Sequence, residues 1–320
     1  MTETMISVRG LSKRFGDLLA VDNLDFSIYK GEIYGFLGPN GAGKSTTLNI
    51  IATLLAQDAG EVTVAGYDLV RDSRQIKAIL GLVPQEIALF DSLNAWENVR
   101  FFAGLYGLRG AELKTATAEA LEFVGLADQA KKRSAKMSGG MRRRLNIACG
   151  IAHRPQVVIL DEPTVGVDAQ SREQIMNSIR LLRERGATII YTSHYMPEVA
   201  EICDRIAIID HGRLVAQGSE QELLQVVTDI KTIVVSTSIG SAELQSKVEE
   251  RLRRLPDVHR AVYDPAHEQL RMDVSLTFSD LTPLVAELVS MGLILHSIVS
   301  DAPDLETTFL ALTGRELRQA

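Results

Sequence analysis

Cysteine is scarce: Cys149 and Cys203 are the only two in 320 residues. Two isolated thiols make neither a disulfide framework nor a cysteine-rich zinc site. No run approaches the roughly 18 uninterrupted apolar residues that a membrane-spanning helix requires. The opening MTETMISVRG lacks the charged-then-apolar layout of a secretory signal. Positive charge is in deficit, with a formal net charge of -7, which argues against a chain built to coat nucleic acid. No tandem repeat or low-complexity segment is evident. These absences predict a cytoplasmic chain, with any membrane step carried by another protein.

What is present suits about two globular domains. The chain is 46% hydrophobic and 23% charged, enough for a full core. Its first part alternates strand-like and helix-like segments, the pattern of an α/β domain. Strands are expected at 33–37, 62–65, 80–83, 157–160, 188–192 and 205–209, helices at 45–55 and over most of 94–130. Beyond a boundary placed near Thr228 the pattern changes. Strands are expected at 231–237, 258–263, 269–274 and 293–299, with an Asp264-Pro265 turn between the middle two. Helical stripes occur at Leu244, Val248, Leu252 and Leu255, and at Leu281, Leu284, Val285 and Leu288. The order β-α-β-β-α-β predicts a small ferredoxin-like α+β domain over 229–320.

Chemistry concentrates in the first domain. Gly38, Pro39, Asn40, Gly41, Ala42, Gly43, Lys44 and Ser45 fit the full phosphate-loop pattern, followed by Thr46, between a strand and a helix. Glycines let the backbone amides face phosphate oxygens, and the helix start adds its positive end. Lys44 is expected on the β- and γ-phosphates of ATP, and Ser45 on Mg²⁺. VVILDEP puts Asp161 at a strand end as a Mg²⁺ contact, and Glu162 beside it as general base. His194, at the end of another strand, is expected at the γ-phosphate or the attacking water. Gln85, after Val83-Pro84, is expected at Mg²⁺ or the water. The remaining histidines read as structural.

Met137-Ser138-Gly139-Gly140-Met141 opens a helix and offers a second anion-binding surface. One fold does not easily bring both surfaces onto one phosphate, so their coexistence predicts two copies acting together. Basic residues flank this stretch at Lys131, Lys132, Arg133 and Lys136 and again at Arg142–Arg144. Most of them read as solvated charge.

Taken in order, Gly38–Ser45, Gln85, Ser138–Gly140, Asp161–Glu162 and His194 resemble the ATP-binding cassette (ABC) ATPases. The likeness covers roughly residues 5–225, with a helical subdomain at about 86–150. The resemblance implies an α/β P-loop NTPase cassette and a head-to-tail homodimer with two ATP at its interface. Ser138, Gly139 and Gly140 would contact the other subunit's γ-phosphate. By position, Phe15 would stack on adenine and Asp168 would lie in the loop crossing the interface. The segment 85–97, with Phe90 and Trp96, resembles the surface that receives a helix from a separate transmembrane permease. Met141 replaces the family's usual glutamine. SGGMRRRLNIA, the run HYMPEVAEICDRIAIIDHGRLVAQGS and the ending DLETTFLALTGREL resemble the branch serving drug, antibiotic, polysaccharide and lipid exporters. That branch implies an ATPase peripheral to the inner face of the cell membrane. The alternative is a non-transport ABC ATPase acting on nucleic acid or ribosomes. Against it stand a single cassette, no coiled-coil insertion and no zinc cysteines.

Overall fold

The computed structural model describes residues 3–227, 230–239, 241–265, 267–275, 277–301 and 304–313. Two compact units divide at Glu220 and Gln221, the second running to Leu312. The expected boundary residue Thr228 lies outside the described residues, as do Gly314 to Leu317 of the final motif.

The first unit opens with two long strands that local pattern reading does not single out, β1 (Thr4–Phe15) and β2 (Leu18–Tyr29). Their antiparallel register shifts at several points. Gly10 and Asn23 take positive φ there, 58° and 51°, the conformation that lets a bulge form. The following elements are β3 (Ile33–Leu37), α1 (Lys44–Ile51), β4 (Ala59–Val64), β5 (Tyr67–Asp68), α2 (Ser73–Ile79) and β6 (Leu80–Val83). Then come α3 (Ala95–Leu105), α4 (Gly110–Phe123), α5 (Gly139–Ile151), β7 (Val157–Asp161), α6 (Ala169–Glu184) and β8 (Thr188–Thr192). The unit closes with α7 (Met196–Ile202), β9 (Arg205–Asp210), β10 (Arg213–Gly218) and the start of α8 (Glu220–Val227).

Two sheets share a core. The antiparallel sheet runs β2-β1-β4-β5, and the other runs β10-β9-β3-β8-β7-β6. In the second, β9, β3, β8, β7 and β6 pair in parallel. Every residue of β3 and of β8 is buried, which explains their unbroken apolar runs. Phe26 of β2 stacks on Tyr34 of β3, with centroids 5.9 Å apart and planes 9° apart, so aromatic packing joins the sheets. Because β3, β8, β7 and β6 are parallel neighbours, their carboxyl ends open on one edge. Ligands bind at such edges in α/β sheets.

α3, α4 and α5 form the helical region. The segment expected to be mostly helical over 94–130 is two helices with a break. Asn94 starts α3 through a capping box: its Oδ1 accepts from Glu97 N at 2.9 Å, and Glu97 accepts from Asn94 N at 2.9 Å. Gly107, at φ 94°, ends it.

The second unit contains β11 (Ile230–Ser236), α9 (Ala242–Leu252), β12 (Val258–Asp264), β13 (Gln269–Ser275), α10 (Thr282–Ser290), β14 (Ser297–Asp301) and α11 (Leu305–Thr313). Its antiparallel sheet runs β12-β13-β11-β14, the ferredoxin-like arrangement. One face, including Ile233, Val235, Leu270 and Met272, packs on Val248, Leu252, Leu284 and Leu288 of the helices. The last strand begins at Ser297, not at Leu293. Leu293 is buried without strand pairing, so its apolar character marks core packing in a connecting segment.

Candidate active site

The loop after β3 is shaped by contacts only glycine permits. A Cβ on Gly38 would sit 2.4 Å from the carbonyl oxygen of Ile209, and one on Gly43 2.4 Å from that of Ala20. Gly41 and Gly43 also hold φ at 81° and 100°, a region L side chains avoid. α1 then starts at Lys44 with no side-chain cap, leaving first-turn amides for a ligand. Lys44 Nζ donates to the carbonyls of Gly38 at 2.5 Å and Pro39 at 3.2 Å. Burial lowers its pKa, opposed by the nearby charges of Glu162 and Asp161. Ser45 is exposed beside it and Thr46 half-buried.

The carboxylates lie at the end of β7. Asp161 Oδ1 accepts a hydrogen bond from Thr192 Oγ1 at 2.7 Å. Burial raises its pKa, while that hydrogen bond and the charges of Lys44 and His194 lower it. Glu162 is buried and takes φ 49°. Its N–H donates to the same Thr192 hydroxyl at 2.9 Å. One threonine on β8 thus fixes both acidic residues. His194, just past β8, brings Nε2 to 2.5 Å from Glu162 Oε1. With Glu162 ionised, the proton of this pair belongs on Nε2. A phosphate contact from that nitrogen would require the pair to open. His194 Nδ1 is buried and has no hydrogen-bond partner among the described residues.

Lys44, Asp161, Glu162 and His194 therefore meet in one electrostatic group. Gln85 follows β6 and is exposed; its carbonyl accepts from Arg143 Nη1 at 2.7 Å. Phe15 ends β1 and is 47% exposed. It is no core residue; Lys13 Nζ sits 5.6 Å from its ring centroid.

Ser138 caps α5, its Oγ accepting from Met141 N at 3.3 Å. Ser138 and Gly139 are exposed. Gly140 packs on the start of α6: a Cβ there would lie 2.0 Å from Ser171 Oγ. Asp168 caps α6, accepting from Ser171 N at 2.8 Å and Ser171 Oγ at 2.9 Å. Within one chain, then, the Ser-Gly-Gly stretch abuts Gly166, Asp168 and Ser171.

Two residues escape sequence reading. Glu198 of α7 is buried and accepts from Tyr191 OH at 2.6 Å, Thr164 Oγ1 at 2.7 Å and Ser193 Oγ at 3.2 Å. It also pairs with Arg172 at 3.0 Å, so it ties the segments after Glu162 and before His194 to α6. Arg143 is the exception to the expectation that most of the flanking basic residues are solvated charge. It is buried; Arg142 pairs with Asp91 at 2.6 Å, and Arg144 donates to the carbonyl of Val124 at 2.9 Å. This basic run holds loops in place.

A glycine loop opening a helix, a carboxylate pair of which Glu162 is buried, and a histidine, on neighbouring parallel strands, define a P-loop nucleoside triphosphatase of cassette architecture. A family model described as ABC transporter matches residues 21–165. The linearmycin resistance ATP-binding protein LnrL of Bacillus subtilis is 42% identical over 317 residues, covering 98% of this chain and all of that one. The daunorubicin resistance ATP-binding protein DrrA3 of Streptomyces coeruleorubidus is 35% identical over 318 residues, covering 99% and 98%. Among solved structures, a dimeric ATP-binding cassette in a post-hydrolysis state with ADP and phosphate superposes with a TM-score of 0.61. It is 28% identical and covers 67% of this chain and 98% of that one. The chain belongs to the ABC transporter family, as one of its ATP-binding subunits.

Proposed function

We propose that this chain is the ATP-hydrolysing subunit of a membrane exporter, acting as a homodimer beneath a separate permease. The observation that carries the catalytic part is the Glu162–His194 pair, 2.5 Å long and adjacent in charge to Lys44. Glu162 takes a proton from water as the water oxygen bonds to the γ-phosphorus and the bond to ADP breaks. His194 holds the carboxylate in one orientation. Lys44 exchanges its loop carbonyls for phosphate oxygens. Phe15 offers an exposed π face to adenine.

Ser45, Asp161 and Gln85 supply a hydroxyl, a carboxylate and an amide oxygen, hard donors that suit Mg²⁺. Among the described residues no group of three His, Cys, Asp or Glu would hold a metal unaided. When bound, Mg²⁺ neutralises phosphate charge.

The exposed N-terminus of α5 supports a composite site, in which Ser138, Gly139 and Gly140 meet the partner's γ-phosphate and Asp168 lies at the interface. The dimeric relative supports the same reading. No helix among the described residues is long and apolar enough to cross a membrane; this reading assigns the membrane step to a separate permease. An apolar groove of about 740 Å³ lies beside the Gln85 segment, lined by Leu54, Leu80, Leu82, Phe102, Leu105 and Tyr106. Next to it Phe90, 44% exposed, meets Phe101 edge-on at 4.8 Å. This surface would receive a permease helix and place the chain on the inner face of the membrane. Both reported relatives are named for antibiotic or drug resistance, which favours export of drugs or antibiotics over work on nucleic acid.

Glu162→Gln is expected to keep ATP binding while hydrolysis falls roughly 10²–10⁴-fold. Phosphate release and nucleotide binding, measured on the same sample, check this. Near-parental turnover would remove Glu162 from the role of base.

A further inference from the structure

The hydrolysis proposed above makes no use of Arg143, yet α5 is joined to the β6–Gln85 segment partly through it. Near the C-terminal end of α5 the join is close packing at glycines. A Cβ on Gly81 would lie 2.3 Å from the carbonyl oxygen of Gly150, and one on Gly150 2.6 Å from Val83 Cγ2. Nearer the N-terminal end the join is polar. Arg143 Nη1 donates to the carbonyls of Gln85 at 2.7 Å and Pro84 at 3.2 Å. Asn146 adds a bond to the Pro84 carbonyl at 3.4 Å and accepts from Ala88 N at 3.2 Å.

The guanidinium is an expensive choice for this task. It is only 5% exposed, and its Nε has no hydrogen-bond partner among the described residues. Among the described residues no carboxylate reaches it at ion-pair distance. The acids whose charge it feels are Glu162 and Asp161. A buried cation without a bonded counter-ion destabilises a fold, so packing alone does not account for it.

We propose that Arg143 is a positioning residue that fastens Gln85 to α5 and thereby links the two ATP sites of the dimer. Ser138, at one end of the linkage, faces the partner's nucleotide. Gln85, at the other, serves the nucleotide of its own subunit. A shift of α5 when the partner's ATP arrives is passed through the guanidinium to the Gln85 backbone. This inference rests on the composite-site reading above.

The test uses the full-length chain with Arg143→Gln and Arg143→Lys. Four quantities are read: melting temperature, ATP binding in EDTA, Mn²⁺ affinity of the ATP-loaded protein by electron paramagnetic resonance, and the Hill slope of hydrolysis against ATP. Arg143→Gln is expected to bind ATP in EDTA as the parent does. Its Mn²⁺ affinity should fall about 10–100-fold, the usual reach of a residue that orients a metal ligand. Its Hill slope should drop towards unity. Arg143→Lys, with the charge retained, should recover part of both. Parental Mn²⁺ affinity and Hill slope in a folded Arg143→Gln would overturn the proposal. So would loss of ATP binding in EDTA by both variants, which would make Arg143 a packing residue. If Arg143→Gln does not fold, Arg143→Lys decides: an intermediate shift supports the linkage, and parental values refute it. A parent that hydrolyses no ATP would instead refute the function itself. An active parent without cooperativity would refute only the linkage.

Discussion

At the scale of single residues, the chemistry is set by what each polar atom is left to face. His153 illustrates this away from the site. Its ring stacks on Tyr106 with centroids 3.5 Å apart, and Nε2 lies 3.2 Å from the carbonyl of Leu80. Burial brings its pKa from the usual 6.5 down to about 4. The unfolded chain therefore binds a proton between those values that the folded chain refuses. Stability from this residue is intact above about pH 6.5 and is lost as pH falls towards 4, by at most about 1.4 kcal/mol per pH unit. His153→Phe keeps an aromatic stack and removes the titration. Its unfolding midpoint should fall less steeply than the parent's between pH 6.5 and 4.5, as read by denaturant melts. Lys44, Asp161 and Glu162 were legible in the sequence because their motifs are contiguous and the chemistry is local. Arg143 was not, because three consecutive arginines look alike until α5 is docked and one face of it is buried.

At the scale of elements, the parallel strands β3, β7 and β8 were legible as apolar runs buried on both faces. β1 and β2 were harder, since 12-residue strands with bulges break the simple alternation. The break after α3 and the late start of β14 depend on which apolar residues pack without regular pairing, and tertiary contact decides that. The start of α5 carries two demands at once, an exposed anion site and a close fit to α6. Gly140 meets the second. Gly140→Ala should destabilise the unit by about 1–3 kcal/mol, the cost of overpacking a tight contact. Ser171 is the atom group in the way, so the double variant Gly140→Ala with Ser171→Gly should regain much of that loss in thermal melts. If the double variant is stable yet inactive, the glycine also serves nucleotide directly.

At the scale of the whole molecule, the central question is which chain completes which site. Ser138→Arg should block hydrolysis while single subunits still bind ATP. Lys44→Ala should lose nucleotide. Mixed after subunit exchange, the two defects fall on the same site in each mixed dimer and leave the other intact. Random pairing at equal amounts would restore about one quarter of the parental sites. Phosphate release from the mixture, beside a direct measure of exchange, checks this. No recovery despite proven exchange would count against a composite site. The second unit has its own core and a ferredoxin-like sheet. We propose that it supports or regulates the dimer, which predicts a weaker self-association constant on its removal, read by sedimentation.

Glu162 holds its backbone at φ 49°, where asparagine, aspartate and glycine sit with less strain than glutamate. The replacements easiest on the fold at this position are thus ones that remove or shorten the base. Folding and turnover pull in opposite directions at a single peptide unit. Chains freed from selection for transport would drift first towards well-folded forms that trap ATP. In a homodimer, pairing such a form with a sound subunit would halve the working sites and leave the other composite site intact.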